Sequence, residues 1–114
     1  MLKQEYIYNA LITNVVDGDT VDLMVDLGFG TYRQDRFRLA RINTAELNSK
    51  IEDEKKLAQD AKNWMMAFLN QKVIFKSMRK DKYGRYLAEL YLPDQTVSLN
   101  QRLIDSGLAQ LYIG

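Results

Sequence analysis

The stretch TVDLMVDLGFGTYRQDRFRLARI, residues 20–42, decides the fold that the sequence predicts. In residues 20–27, valine and leucine recur at every second position, which is typical of a β-strand with one buried face. The glycine-rich break at 28–30 ends this strand. Residues 31–42 then resume the alternation, with Phe37 and Leu39 on the inward face and Arg36 and Arg38 on the opposite face. The stretch therefore predicts two consecutive strands of a meander.

Three further segments have strand character. Residues 6–16 alternate in the same way and reach the central pair through the turn DGD at 17–19. Residues 72–78 and 85–92 are rich in β-branched and aromatic side chains and predict the last two strands. The sequence thus predicts five strands, three of them before residues 52–70 and two after.

Two segments have helical character. Between Glu52 and Asn70 the apolar residues form a helical stripe, and acidic residues lie at its start, where the helix dipole favours negative charge. SLNQ at 98–101 has the spacing of a capping box and opens a short helix that Gly107 ends. This order predicts one mainly β (α+β) domain over residues 1–114, a five-stranded Greek-key barrel of the oligonucleotide/oligosaccharide-binding (OB) kind with two helices.

Composition limits the chemistry. The chain has 114 residues, no cysteine and no histidine. It therefore cannot form disulfides, zinc sites of the usual kind, or Ser-His and Cys-His nucleophile pairs. Any metal must be held by oxygen atoms, which favours calcium, magnesium or manganese. Because the net charge is only +1, a nucleic-acid partner would need a local basic patch.

The chain lacks targeting signals of the common kinds. No apolar run has the length of a membrane span, so we expect no membrane partner. The N-terminal sequence lacks the basic start, apolar stretch and cleavage site of a signal peptide, which predicts a cytoplasmic location. We also expect a monomer. A mature secreted chain would have the same features, so secretion stays open.

Three polar clusters could carry chemistry. They are VVDGDTV at 15–21, FRLARINTAE at 37–46 and DKYGR at 81–85. Each also has an ordinary structural interpretation: a hairpin turn, a solvated strand face that runs into a loop, and a tight turn. The functional interpretation depends on their being brought together.

Together, the clusters contain the parts that phosphodiester hydrolysis requires. Three residues could surround one hard cation with oxygen atoms: Asp19, Asn43 and Thr44. Arg38 and Arg85 could contact an anion bound to that cation and neutralise the charge that grows in the transition state. Glu46 could orient or deprotonate the attacking water.

These clusters are similar to the motifs of the staphylococcal-nuclease-like, or thermonuclease, family. The resemblance includes LNQRLIDSGLAQLY at 99–112 and spans nearly the whole chain in the family's order. Members are five-stranded barrels and calcium-dependent endonucleases that act on DNA and RNA and leave 3′-phosphate ends. The resemblance therefore implies a calcium-dependent nuclease whose partner is DNA, RNA or both.

The resemblance also implies a role for each matching residue. Asp19 would give calcium a carboxylate, and Thr44 would give it a backbone carbonyl. Glu46 would be the general base or position the water. Arg38 would contact the phosphate, and Arg85 would stabilise the transition state. Three further residues would contact the substrate: Lys82, Tyr83 and Tyr112.

The sequence departs from the family's pattern at two positions of the second cluster. Asn43 stands where the family usually has an aspartate that binds calcium, and Ala45 stands where a proline is usual. The amide oxygen of Asn43 can bind calcium but brings no charge, which predicts a weaker calcium site. Asp17 could supply compensating charge nearby.

Two other interpretations remain. Asn43 favours a domain without catalysis that binds nucleic acid or protein, since the barrel, its basic residues and its tyrosines suit single-stranded nucleic acid. Those basic residues are Arg36, Arg38, Arg41, Lys82 and Arg85. The alternating acids and arginines could also be only a solvated barrel face. The nuclease and binding hypotheses differ in what they predict for Glu46. Its replacement should abolish turnover by a nuclease and leave the affinity of a binding domain nearly unchanged.

Overall fold

The computed structural model describes residues 6–78, 80 and 83–112. Two helices are present in this part of the chain, α1 (Glu52–Met66) and α2 (Leu99–Asp105). The strands are β1 (Ile7–Asp17), β2 (Thr20–Asp26), β3 (Tyr32–Leu39), β4 (Ile42–Asn43), β5 (Lys72–Met78), β6 (Tyr86–Tyr91) and β7 (Gln110–Leu111). Five of these strands close into a barrel in the order β1-β2-β3-β6-β5, so the predicted barrel with two helices is confirmed.

The alternation along the strands fills the barrel. On β2, Val21, Leu23 and Val25 are buried, while the residues between them are partly exposed. Neighbouring strands pair antiparallel except β3 and β6, which pair parallel from Phe37 to Leu39. This parallel pair closes the barrel, and it brings the end of β3 beside the start of β6.

The first helix is shorter than predicted. It begins at Glu52, as expected, but ends at Met66 instead of Asn70. The amides of the next residues bond to carbonyls three positions back, from Phe68 to Met65 and from Leu69 to Met66. Asn70 then adopts a φ of 65°, the left-handed conformation that ends helices. Neither helix of the described residues has the length and apolar character that crossing a membrane requires.

The third predicted strand is divided in two. Instead of running to Ile42, β3 ends at Leu39, because Arg41 has a φ of 66° and turns the chain. β4 follows and pairs antiparallel with β7, forming a small second sheet that the sequence did not predict. This turn moves the loop after β4 out of the barrel wall and toward α1.

The second helix, α2, stabilises the pairing of β3 with β6 that closes the barrel. Its predicted cap is confirmed: the Ser98 hydroxyl accepts a hydrogen bond of 3.0 Å from the Gln101 amide. The buried Asn100 side chain donates to the carbonyls of Ala40 and Ala88, both at 3.0 Å, and accepts from the Leu90 amide at 3.2 Å. It thus holds the chain after β3 against β6.

Candidate active site

The turn DGD at 17–19 brings its second aspartate against the loop after β4. A Cβ atom on Gly18 would lie 2.6 Å from the Cβ of Ala61 on α1 and 3.0 Å from the Cγ2 of Thr44, so only glycine fits here. The Asp19 carboxylate accepts hydrogen bonds of 3.1 Å from the Thr44 amide and from the Thr20 hydroxyl. The hairpin turn is therefore also a packing contact that fixes an acidic side chain.

Arg38 lies beside this carboxylate at the end of β3. Its Nη1 atom is 3.6 Å from Oδ2 of Asp19 and donates to the Ile42 carbonyl at 3.1 Å. Its Nη2 atom donates to Oδ1 of Asn43. The sequence placed Arg38 on the outer face of the strand, yet the side chain is buried, because β4 and the ring of Tyr112 cover it. A guanidinium thus forms the centre of the cluster.

The cluster brings together the three predicted cation ligands. Asp19 and Thr44 share a hydrogen bond, and Asn43 directs its amide oxygen to the same guanidinium as the Asp19 carboxylate. The structure therefore assembles these side chains around Arg38. Asp19 is the only one of the three that carries a charge.

The oxygen atoms present suit a hard cation in kind but provide little charge for it. Carboxylate, amide and backbone carbonyl oxygens are the ligands that calcium takes in proteins. Among the described residues, no three acidic side chains are grouped so that they could hold a metal ion together. Burial raises the pKa of Asp17, and the neighbouring Asp19 charge raises it further. This donor set fits a weakly held calcium ion.

Glu46 lies apart from the cluster in an open pocket. Its side chain is exposed, and the pocket, of about 310 Å³, is also lined by Asn43 and Thr44 on one side and by Glu54 and Leu57 of α1 on the other. A carboxylate in this position is open to water and next to the predicted cation ligands. The pocket contains a second carboxylate, that of Glu54, which sequence reasoning missed because it belongs to the helix.

The remaining predicted site residues lie on two segments. Arg85, just before β6, places its guanidinium carbon 5.1 Å from the ring centre of Tyr83. Tyr112 lies with its ring centre 5.8 Å from the guanidinium carbon of Arg38, and its amide donates to the Arg41 carbonyl at 2.8 Å. Lys82 lies outside the described residues. The parallel pairing of β6 with β3 makes Leu87 the partner of Arg38, so Arg85 lies two residues before a strand neighbour of Arg38.

Sequence reasoning also missed two supports of the site. Arg41 forms an ion pair with the buried Glu89, whose second oxygen accepts a 3.2 Å hydrogen bond from the Tyr91 hydroxyl. Asn100 holds the carbonyl of Ala40, two residues after Arg38. A polar residue within the apolar stripe of a short helix was the available signal for Asn100. No sequence signal indicated the ion pair of Arg41, because its partner Glu89 is distant in sequence.

Comparison with known proteins agrees with this geometry. Residues 36–113 match the model of a family described as staphylococcal nuclease homologue. An uncharacterized endonuclease of Escherichia coli O157:H7 is 29% identical over 101 residues, which cover 89% of this chain and 59% of the relative. An uncharacterized protein of Methanocaldococcus jannaschii is 28% identical over 129 residues, covering 93% of this chain and 60% of the relative. The chain spans about three fifths of the length of these relatives.

Proposed function

The chain belongs to the staphylococcal nuclease homologue family, and from this premise we propose that it is a calcium-dependent phosphodiesterase that cleaves DNA, RNA or both. The observation that supports this most is the cluster of Asp19, Arg38 and Asn43 beside the pocket that Glu46 lines. It combines a buried cationic donor, oxygen ligands and an exposed carboxylate within one loop region.

Arg38 and Arg85 would act on the phosphate. A guanidinium donates two parallel hydrogen bonds to phosphoryl oxygens, and these bonds strengthen as negative charge grows in the transition state. Arg38 is held by Asp19, Ile42 and Asn43, so its position is set before substrate binds. Arg85 approaches from β6 and would contact the phosphate near the leaving 5′-oxygen.

Glu46 would take the proton of the attacking water. A bond would then form between the water oxygen and phosphorus while the bond to the 5′-oxygen breaks. The 5′-oxygen would take a proton from solvent water, which leaves a 3′-phosphate and a 5′-hydroxyl. Asp19, Asn43 and the Thr44 carbonyl would hold calcium, which supplies positive charge next to the phosphate when bound. Tyr83, Tyr112 and Lys82 would contact the nucleotides on either side.

The decisive experiment replaces one carboxylate of the pocket at a time. We expect Glu46→Gln to reduce calcium-dependent cleavage of single-stranded DNA by about 10²–10⁴-fold, the usual contribution of a general base. Glu54→Gln is the matched control and should retain activity, because the Glu54 carboxylate accepts a 2.8 Å hydrogen bond from the Ser49 hydroxyl at the rim. Both side chains are exposed, so neither change should lower the unfolding temperature.

A second candidate function is nucleic-acid binding without turnover. The observation that favours it is that Asn43 gives its oxygen to Arg38 and brings no charge to the cation site. If the wild-type chain binds single-stranded DNA but does not cleave it at about 10 mM calcium, well above the range of weak calcium sites, binding becomes the function. The monomeric state and the cytoplasmic location remain predictions.

A further inference from the structure

A second cationic and aromatic surface lies next to the candidate active site. It is formed by Tyr6, Tyr8, Arg33, Ser77, Lys80 and Tyr86, and we call it the Tyr86 patch. Two adjoining hollows of about 130 and 370 Å³ share Tyr8, Ser77 and Tyr86 as lining residues. None of these residues belongs to the three motif clusters, although Tyr86 directly follows the third cluster.

Two positive charges face the ring of Tyr86. The Lys80 ammonium lies 4.6 Å from the ring centre and the Arg33 guanidinium carbon lies 5.4 Å from it. Nη2 of Arg33 is also 3.5 Å from the Tyr86 hydroxyl. Both cationic side chains are exposed, and Asp35, at 2.9 Å from Arg33, is the carboxylate that lines the same hollow. Among the described residues, the patch therefore carries two cations and one anion around a half-buried ring.

β6 connects the patch to the active site, although the two lie on opposite faces of the strand. Tyr86 follows Arg85 directly and pairs with Phe37, the residue before Arg38. Adjacent strands lie about 4.8 Å apart, so the Cα atoms of Tyr86 and Arg38 are separated by on the order of 6 Å. Side chains alternate along a strand, so the Tyr86 ring lies on the other face from Arg85. Within the described residues, β3 joins β6 only from Phe37 onward, which leaves the Tyr86 ring open toward Arg33.

Single-stranded nucleic acid has the chemistry that this surface complements. Its bases stack on aromatic rings and its phosphates pair with exposed cations, and stacking contributes about 1–3 kcal/mol per base. We propose that the Tyr86 patch binds a nucleotide beyond the cleavage site and so makes the protein favour longer single strands. This inference rests on the proposed function for the position of the scissile phosphate.

The test compares the patch with a matched surface elsewhere on the barrel. Arg33→Gln with Lys80→Gln removes the exposed cations, and Tyr86→Leu removes the ring while keeping apolar bulk for the core contact with Phe37. Lys72→Gln and Tyr32→Leu are the controls, since this exposed lysine and tyrosine line a different hollow. Thermal unfolding checks that each variant is folded.

Two substrates separate the patch from the catalytic site. A labelled single strand of about 12 nucleotides, within the range that OB folds bind, is used to measure affinity. A chelator removes calcium, so the strand is bound without being cleaved. A dinucleotide reports kcat/KM in calcium and supplies no nucleotide beyond the two that flank the cleaved bond. We expect Tyr86→Leu to weaken binding of the long strand about 5- to 150-fold, the equivalent of one lost stack. The double variant should lower the salt slope by about 0.7 for each phosphate contact removed.

Each outcome bears on one proposal. Long-strand affinity that falls in the patch variants, with unchanged dinucleotide cleavage and unchanged controls, supports the patch. Equal effects in patch and control variants, or a wild-type chain that binds no single strand, would overturn it. A chain that binds the long strand through the patch but cleaves neither substrate would overturn the nuclease proposal and leave the patch supported.

Discussion

The β2–β3 hairpin carries two arginine–aspartate pairs on one face, and they are built differently. Arg36 and Asp22 are cross-strand partners with a 2.8 Å contact, and side-chain exposures are 61% and 17%. Arg38 and Asp19, one step along, are 3.6 Å apart with side-chain exposures of 10% and 13%. The exposed pair has the closer contact and the buried pair the looser one.

The difference predicts which of the two arginines would bind an anion. Arg36 directs two nitrogen atoms to the same carboxylate, so its charge is matched one to one. Arg38 instead spreads its donors over a carboxylate, a backbone carbonyl and an amide oxygen, and two of these three acceptors are neutral. A buried guanidinium whose charge is only partly matched attracts an anion, whereas an exposed matched pair does not.

The largest effect should come from breaking the buried pair. Arg38→Gln should reduce cleavage by about 10²–10³-fold, as loss of one preorganised donor to a transition state usually does. Arg36→Gln should leave the rate nearly unchanged, because its partner Asp22 lies outside the cluster. Steady-state rates on the same single strand check both variants. Equal losses in the two would mean that the pairs are not functionally different.

The next effect tests what holds Arg38 in place. Asn100→Ala should lower the free energy of unfolding by about 2–4 kcal/mol, since it leaves buried backbone groups of Ala40, Ala88 and Leu90 without this partner. The exposed Asn63→Ala on α1 should change it by less than about 0.5 kcal/mol. Urea denaturation measures both. A small loss for Asn100 would show that β3 and β6 stay joined without it.

A third prediction sharpens the charge argument. Asn43→Asp adds a carboxylate to the cation site and should lower the calcium concentration for half-maximal cleavage at least about tenfold, or about 1.4 kcal/mol. The gain is a fraction of the gross attraction, about 4 kcal/mol per unit-charge pair at 4 Å in a surface-like dielectric. Asn48→Asp, exposed in the same loop, is the control for a general change in charge. No shift in Asn43→Asp would place the cation elsewhere.

The smallest effect should come from the exposed pair. The hydrogen bond from Arg36 is the main cause that lowers the pKa of Asp22 below its ordinary value of 3.8. The pair therefore stabilises the fold above that pH, and this contribution disappears as the pH falls through the lowered pKa. Arg36→Gln should lower the free energy of unfolding only slightly at neutral pH, because an exposed ion pair is screened by solvent. Denaturation at neutral and acid pH measures it, and a cost that persists at acid pH would assign it to packing.

The elements that sequence predicted well are those with local patterns. The bounds of β5 and the cap at Ser98 follow from alternation and from a four-residue motif, and both agree with the structure. The motif clusters likewise brought Asp19, Arg38, Asn43 and Thr44 together, as the structure does. Their catalytic roles remain predictions.

What sequence could not predict depends on distant pairing. The left-handed Arg41 ends β3 early, although arginine has no special preference for that conformation. The β4–β7 sheet and the cover of Tyr112 over Arg38 join segments far apart in the chain. For this reason Arg38 appeared to be an exposed strand residue. Likewise, nothing local indicates that Glu54 shares a pocket with Glu46.

The parallel pairing of β3 with β6 also determines when activity can arise during folding. Phe37 and Tyr86 are far apart in sequence, and such non-local pairings form slowly in folding. The two arginines of the site lie on opposite sides of this closure, because Arg38 is on β3 and Arg85 precedes β6. A chain in which β3 and β6 are unpaired would therefore hold the two guanidiniums apart, so the proposed site depends on this barrel closure.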